Sequence, residues 1–325
     1  MTQGPPPRII DAHCHIASER FIPRSFIDGV VANGVAALTA QGVRATPQKL
    51  ANAYLQKLQD PLCDQLVAEM EAAGIECAVL LAADYSYALT DCPLTVEETL
   101  LAHAEVLKRH PGKLVVFGGV DPRWGKDGVD LFERSLVEWG FSGFKVYPPC
   151  GMSPSAPELF PYYELCAHHR VPVVVHIGPT SPVLAFDTST PLMLDLAARS
   201  FPTVNFILAH GSVSYPDECA MLCAYRPNVY LDVSGYQSLL RTSSDEALRR
   251  VVARGINHKV LFGTDWPVFR MQGDQRAFVD VLTAADGPLS LITELEARLV
   301  LHDNMARLLA GAAGNASNQA RVASR

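Results

Sequence analysis

Eight short apolar runs, each followed by a stretch of helical periodicity, set the strongest limit on how this chain can fold. They are RIIDAHCHI (8–16), ECAVLLAADY (76–85), LVVFGGVDP (114–122), GFKVYPP (143–149), VPVVVHIG (171–178), VNFILAHGS (204–212), NVYLDVSG (228–235) and KVLFGTDWP (259–267). Their Val, Ile, Leu and Phe content is nearly continuous rather than strictly alternating, which is how strands buried on both faces read. Between them, DPLCDQLVAEMEAAG (60–74), TVEETLLAHAEVLKRHPG (95–112), DGVDLFERSLVEWG (127–140) and TPLMLDLAARSFP (190–202) carry apolar residues at helical spacing, and several end on Gly or Pro. Eight strand-then-helix units predict an α/β fold, a (β/α)8 TIM barrel, with function at the carboxyl ends of the strands. A doubly wound dinucleotide fold lacks support, because no G-x-G-x-x-G follows the first strand.

The barrel is expected to span residues 8–310, after a short N-terminal extension of residues 1–7. A chain of 325 residues can fill one barrel of this size. Residues 17–60 form an insertion after strand 1, with helical patches at 26–42 and 46–58. It leaves from the functional face, so it is expected to act as a lid or as an oligomer contact, for instance in a homodimer. Residues 311–325 are small and polar and are expected to be disordered.

Net charge −7 and a pI near 5.8 give no basic footprint for nucleic acid. No apolar leader opens the chain and no run approaches the ~18 apolar residues of a membrane span. The expectation is a soluble, cytoplasmic protein with a small-molecule substrate and no membrane partner. The eight cysteines show no C-x-x-C spacing and are read as reduced thiols.

The chemistry gathers at the strand ends. His13 and His15 end strand 1, two residues apart, so on a regular strand they share a face and lie roughly 6.5 Å apart. Lys145 stands near the end of strand 4, His176 of strand 5, His210 of strand 6 and Asp265 of strand 8. Six metal-competent side chains are thereby predicted to face one cavity. The other histidines, His103, His110, His168, His169, His258 and His302, fall in predicted helices or loops and are read as solvated or structural. Imidazole and carboxylate suit a divalent metal, Zn2+ first, with Mn2+, Fe2+ or Co2+ also matching. No soft thiolate joins the set, since Cys14 lies between the two histidines and is expected to point the other way. Three or four protein ligands with one open position would activate a water toward hydroxide at neutral pH. No G-x-S-x-G elbow precedes a helix and no P-loop is present, which removes the commonest competing hydrolase readings.

In order along the chain, DAHCHI, FGGVDPRWGKDGVDLFERSLVEWGFSGFKVYPP, VPVVVHIGP, FPTVNFILAHGS, RPNVYLDVSG, VLFGTDWP and HDNMARLL resemble the amidohydrolase superfamily. Within it they are similar to the amidohydrolase-related branch, the aminocarboxymuconate semialdehyde decarboxylase-like metal-dependent hydrolases. The resemblance runs from residue 8 to about 310. It implies that His13, His15, His176 and Asp265 hold one catalytic metal and that His210 assists as an acid/base or carbonyl-polarising group. It also implies a question at Lys145, because binuclear members of the superfamily carboxylate a strand-4 lysine to bridge two metals. Carboxylation needs a neutral amine; an ammonium paired with a substrate carboxylate or an acidic neighbour is the other reading, and one ion is expected rather than two.

The expected activity is hydrolysis of a C–N or C–O bond of a small carbonyl substrate, with an amide, lactone or ester linkage, and with Asp265 shuttling the proton. The alternative is decarboxylation of an unsaturated or aromatic carboxylate at the same site. A third reading is a metal-free barrel acting as a binding protein. Substrate contacts are expected from strand-end loops: Tyr85 and Tyr87 after strand 2, Tyr147 after strand 4, and Trp266, Phe269 and Arg270 after strand 8. An arginine there could grip a carboxylate with two parallel hydrogen bonds.

Overall fold

Every one of the eight apolar runs becomes a parallel strand, each shorter than its apolar content. In the computed structural model, which describes residues 7–240 and 245–312, they are β1 (Ile9–Cys14), β2 (Ile75–Leu81), β3 (Leu114–Gly118), β4 (Gly143–Val146), β5 (Val173–His176), β6 (Phe206–Ala209), β7 (Val229–Asp232) and β8 (Val260–Leu261). They pair strictly in chain order. Backbone bonds close the ring between β1 and the segment after β8, from Ala12 N to Phe262 O at 2.9 Å and from Asp265 N to His13 O at 2.7 Å. The fold is a (β/α)8 TIM barrel.

Twelve α-helices are described: α1 (Arg24–Ala40), α2 (Pro47–Lys57), α3 (Asp64–Ala73), α4 (Val96–Arg109), α5 (Gly125–Val137), α6 (Phe160–His169), α7 (Asp195–Ser200), α8 (Pro216–Tyr225), α9 (Gln237–Leu240), α10 (Glu246–Val252), α11 (Gln275–Thr283) and α12 (Glu294–Arg298). A further helical stretch covers 304–312. Side-chain caps fix the starts of some of them: Thr95 and Glu98 form a reciprocal capping box on α4, and Asp274 caps α11 through Ala277 N.

The strands alternate between two cores. Ile10 and Ala12 of β1, Val79 and Leu81 of β2, Val174 of β5, Ile207 and Ala209 of β6, and Leu261 of β8 fill the barrel interior with Phe117 and Tyr230. Their neighbours, among them Leu80, Val116, Phe144, Val175, Leu208 and Leu231, pack outward against the helices. Both faces are apolar, so the sequence reads as unbroken hydrophobic runs although each side chain takes one side.

β1 breaks this parity. Regular alternation from Ile10 and Ala12 would turn His13 away from the barrel interior, but the β1–β2 register shifts between Asp11 and Cys14. A one-residue slip exchanges the faces of a strand. Cys14 joins the outer core and both histidines reach the barrel mouth.

The insertion has sharp limits. An isolated antiparallel bridge joins Ala17 to Asp60, and Asp60 also accepts from Leu66 N at 2.9 Å. α1 and α2 lie between these ends and pack on each other. At the other terminus, residues 311–312 are helical, a correction to the expected disorder from 311; the rest of that tail and residues 1–6 of the N-terminal extension lie outside the described residues. No described helix is long and apolar enough to cross a membrane.

Candidate active site

The structure brings all six predicted strand-end residues together at one barrel mouth. His13 Nε2 lies 3.5 Å and His15 Nε2 3.2 Å from Asp265 Oδ1. The His13 and His210 rings are 4.7 Å apart, and those of His176 and His210 are 4.9 Å apart. His13, His210 and Asp265 each offer a ligand atom within 4.8 Å of the others. His210, expected only as an assisting group, therefore stands at ligand range as well.

Three of the imidazoles have their tautomer set by a partner on Nδ1. His13 Nδ1 donates to Asp232 Oδ2 at 2.9 Å, His15 Nδ1 to Leu81 O at 2.8 Å, and His210 Nδ1 to the Ser234 carbonyl at 3.3 Å. A ring that donates through Nδ1 keeps a lone pair on Nε2. The Nε2 atoms of His13 and His176 and the Nζ of Lys145 are buried without a hydrogen-bond partner among the described residues. Buried polar atoms without partners are costly. Converging imidazole lone pairs beside an ionised carboxylate are the donor chemistry of a divalent metal, and these residues fit one.

Electrostatics point the same way. Burial pushes the Asp265 carboxyl up, but the close approach of His15, with Nε2 at 3.2 Å, and of the His13 and His210 rings more than offsets it and holds it at about 2. Burial drives His13 and His176 well below the ordinary histidine range, with Lys145 among the charges that add to it. Lys145 is itself lowered to about 8 by burial, against the attraction of Asp232 and Asp265. His210 and Asp265 hold left-handed backbone conformations, φ 61° and 54°. Such strain costs about 1 kcal/mol or more per residue and persists where the surroundings enforce it. Here Asp232 Oδ1 accepts from His210 N at 3.0 Å, and His13 O accepts from Asp265 N at 2.7 Å.

Above these groups opens a cavity of about 400 Å3. The barrel contributes His15, Leu81, Tyr85, Tyr147, His176, His210, Asp265 and Phe269, and α4 adds Thr99 and His103. The insertion supplies Phe21, Ile22, Phe26, Ile27, Val30, Tyr54 and Leu58. It thus forms a roof over the site.

Tyr85 and Tyr147 stand where the sequence suggested, edge to face at 5.3 Å, with Tyr147 Oη 2.9 Å from Thr180 Oγ1. Trp266 and Arg270 do not line the cavity. Trp266 is buried, its indole N–H donates to Glu69 at 3.1 Å, and Arg270 pairs with Glu69 at 2.7 Å while its guanidinium lies over the Trp266 ring. Their polar groups are already spent on holding the segment after β8 to α3. Tyr87 also turns away, bonding Arg123 O at 3.0 Å.

Sequence reasoning missed three groups. Asp232 ends β7 in a run that reads as plain strand, yet it is fully buried and binds His13, His210 and Ser234. The signal was available: a carboxylate closing an apolar strand needs a partner. Ser234 Oγ lies 3.1 Å from His13 Nδ1 and 2.8 Å from His210 Nδ1. His103, read as solvated or structural, is part of the cavity wall.

Residues 10–310 match the family model described as amidohydrolase. The chain belongs to the amidohydrolase family. Among curated relatives, the 2-amino-3-carboxymuconate-6-semialdehyde decarboxylase of Dictyostelium discoideum is 24% identical over 195 residues, covering 50% of this chain and 54% of that protein. Protein fluG of Emericella nidulans is 25% identical over 144 residues, 41% of this chain and 17% of its own length. The chain thus spans about half or less of the curated relatives it matches. Solved structures show the same fold. An uncharacterized TIM-barrel protein from Bordetella bronchiseptica superposes with a TM-score of 0.67 at 20% identity, covering 94% of this chain and 99% of the other. A dihydroxybenzoic acid decarboxylase from Polaromonas sp. JS666, solved with manganese and 2-nitroresorcinol, gives 0.63 at 18% identity, covering 93% and 97%.

Proposed function

We propose that this amidohydrolase-family enzyme is a divalent metal-dependent decarboxylase of a small aromatic or unsaturated carboxylic acid. The observation that carries the reading is the division of the cavity. Its floor holds the imidazoles and Asp265, whereas its walls are mostly aromatic and aliphatic with a few uncharged polar groups, among them Thr99, Thr180, Ser214 and Ser238, and no arginine or lysine is among the lining residues described. An anionic substrate group can be neutralised only at the floor, where Lys145 also lies buried nearby. The rest of the substrate is left against Phe21, Phe26, Tyr85, Tyr147 and Phe269. That the Dictyostelium relative and the Polaromonas protein are decarboxylases supports this choice over hydrolysis.

His13, His15, His176 and Asp265 would hold one ion, with His210 beside them. Zinc is the first expectation, and manganese, iron or cobalt suits the same donors. When bound, the ion would supply positive charge that anchors the substrate and draws electron density from the reacting carbon. Apolar walls then favour loss of neutral carbon dioxide from a desolvated carboxylate. As the carbon–carbon bond breaks, its electron pair stays on the substrate carbon, which takes up a proton. Asp265, held at about 2, stays a carboxylate and a poor proton donor. His210, lining the cavity with Nδ1 tied to Ser234, is the group assigned to relay that proton, its Nε2 taking one from solvent and passing it to the carbon.

Hydrolysis of an uncharged lactone, ester or amide is the second reading, favoured by the absence of a cation in the walls. Metal-reconstituted enzyme incubated in D2O with hydroxybenzoates and unsaturated acids tests both. Release of carbon dioxide with one deuterium at the vacated carbon supports decarboxylation. Turnover of uncharged esters or lactones, with no carbon dioxide from any acid, replaces it with hydrolysis.

A further inference from the structure

His103 is a polar side chain of the cavity wall that the proposed chemistry leaves without a task. It projects from α4, is only 3% exposed, and packs edge-on against Phe21 of the insertion at 5.5 Å. Its Nδ1 donates to Thr99 O at 2.8 Å, so its Nε2 carries a lone pair. Nothing among the described residues bonds that Nε2, yet it is not sealed in as those of His13 and His176 are. The opening beside it is the cavity. Burial lowers its pKa to about 4, and the nearby His15 adds to the effect, so the ring is neutral at pH 7.

A neutral acceptor fixed in an apolar wall selects for a hydrogen-bond donor. A cationic donor would also need a carboxylate, and Asp265 at the metal-binding floor is the only one lining the cavity among the described residues. We infer that His103 is a specificity-determining residue whose Nε2 accepts a hydrogen bond from a neutral hydroxyl on the substrate, away from its reacting group. The substrate is then a hydroxylated aromatic or unsaturated acid; the acid half of that statement rests on the proposed decarboxylase reading and the hydroxyl half does not. A ligand without the hydroxyl leaves Nε2 desolvated and unpaired, which weakens binding.

Calorimetric titration of the manganese-loaded enzyme tests this with two sets of probes. One compares 3- and 4-hydroxybenzoate with benzoate, and the other compares phenol with anisole. The better hydroxybenzoate and phenol should each bind about tenfold more tightly than the partner that lacks a donor. His103→Leu should abolish the preference, and His103→Gln, which keeps an acceptor, should restore part of it even if the leucine variant folds poorly. Equal binding within the pairs, no binding of any probe, or a full preference in a folded His103→Leu enzyme overturns the inference. A hydroxyl preference for phenol with no binding of the benzoates supports the role of His103 and removes the decarboxylase reading instead.

Discussion

Asp232 Oδ2 accepts the Nδ1 proton of His13 at 2.9 Å, with both side chains fully buried. Through this bond the end of β7 decides which nitrogen of a β1 histidine faces the metal-binding floor. Carboxylates that orient a ligand histidine are worth about 10–100-fold in metal affinity. Asp232→Asn should therefore weaken metal binding by about that factor while the fold survives, as chelator competition followed by metal analysis would show. Unchanged affinity would reduce Asp232 to a structural partner.

His176 and Asp265 should fail differently. His176→Ala removes one of the imidazole donors at the floor, so both metal content and activity should fall to near background. Asp265→Asn keeps an oxygen in place but loses the charge held by three imidazoles, so turnover should fall more than metal content. Elemental analysis beside kcat separates the two outcomes.

Lys145 bears on the number of ions. Its buried amine, lowered to about 8, can lose its proton more readily than an exposed lysine. The one-ion reading expects Lys145→Ala to retain about one equivalent of metal, as the parent enzyme does. Two equivalents in the parent and a loss in the variant would establish a bridging carbamate instead.

Gly29 of α1 sits against Ser181, whose Oγ donates to Phe26 O at 2.8 Å and pins the roof helix. A Cβ at Gly29 would lie 2.5 Å from that Oγ. Gly to Ala inside a helix ordinarily gains up to about 1 kcal/mol, whereas overpacking costs about 1–3 kcal/mol. The clash should win. Gly29→Ala should lower the melting temperature and raise KM, because the insertion forms much of the cavity wall.

His103 makes stability depend on acid. Its folded pKa of about 4 lies below the unfolded value of about 6.5. Between those values the unfolded chain binds more protons, so stability rises with pH through the window and falls on acidification. Going from pH 7 to pH 4.5 should cost about 2 kcal/mol through this group. Denaturant titrations of the parent and His103→Leu at both pH values should show the parent losing more by that margin; equal losses would place the imidazole in a wetter setting.

Much of this protein could be read from one dimension. The eight apolar runs, the helical periods between them and the insertion limits near 17 and 60 are local signals, and the strand ends named His13, His15, Lys145, His176, His210 and Asp265 as one group. The loop side chains were harder. Trp266 and Arg270 follow β8 in sequence as Asp265 does, but Glu69 on α3 holds both away from the cavity.

The barrel and the residue types at its mouth follow from the chain alone, because burial on both faces and strand-end polarity are properties of short segments. Long-range packing set the rest. The register shift between Asp11 and Cys14 turns His13 toward the mouth, Asp232 arrives from β7 to set its tautomer, and α4 brings His103 into the cavity wall. Each depends on partners tens to hundreds of residues away, where side-chain direction is set by packing and hydrogen-bond satisfaction rather than by neighbours in the chain.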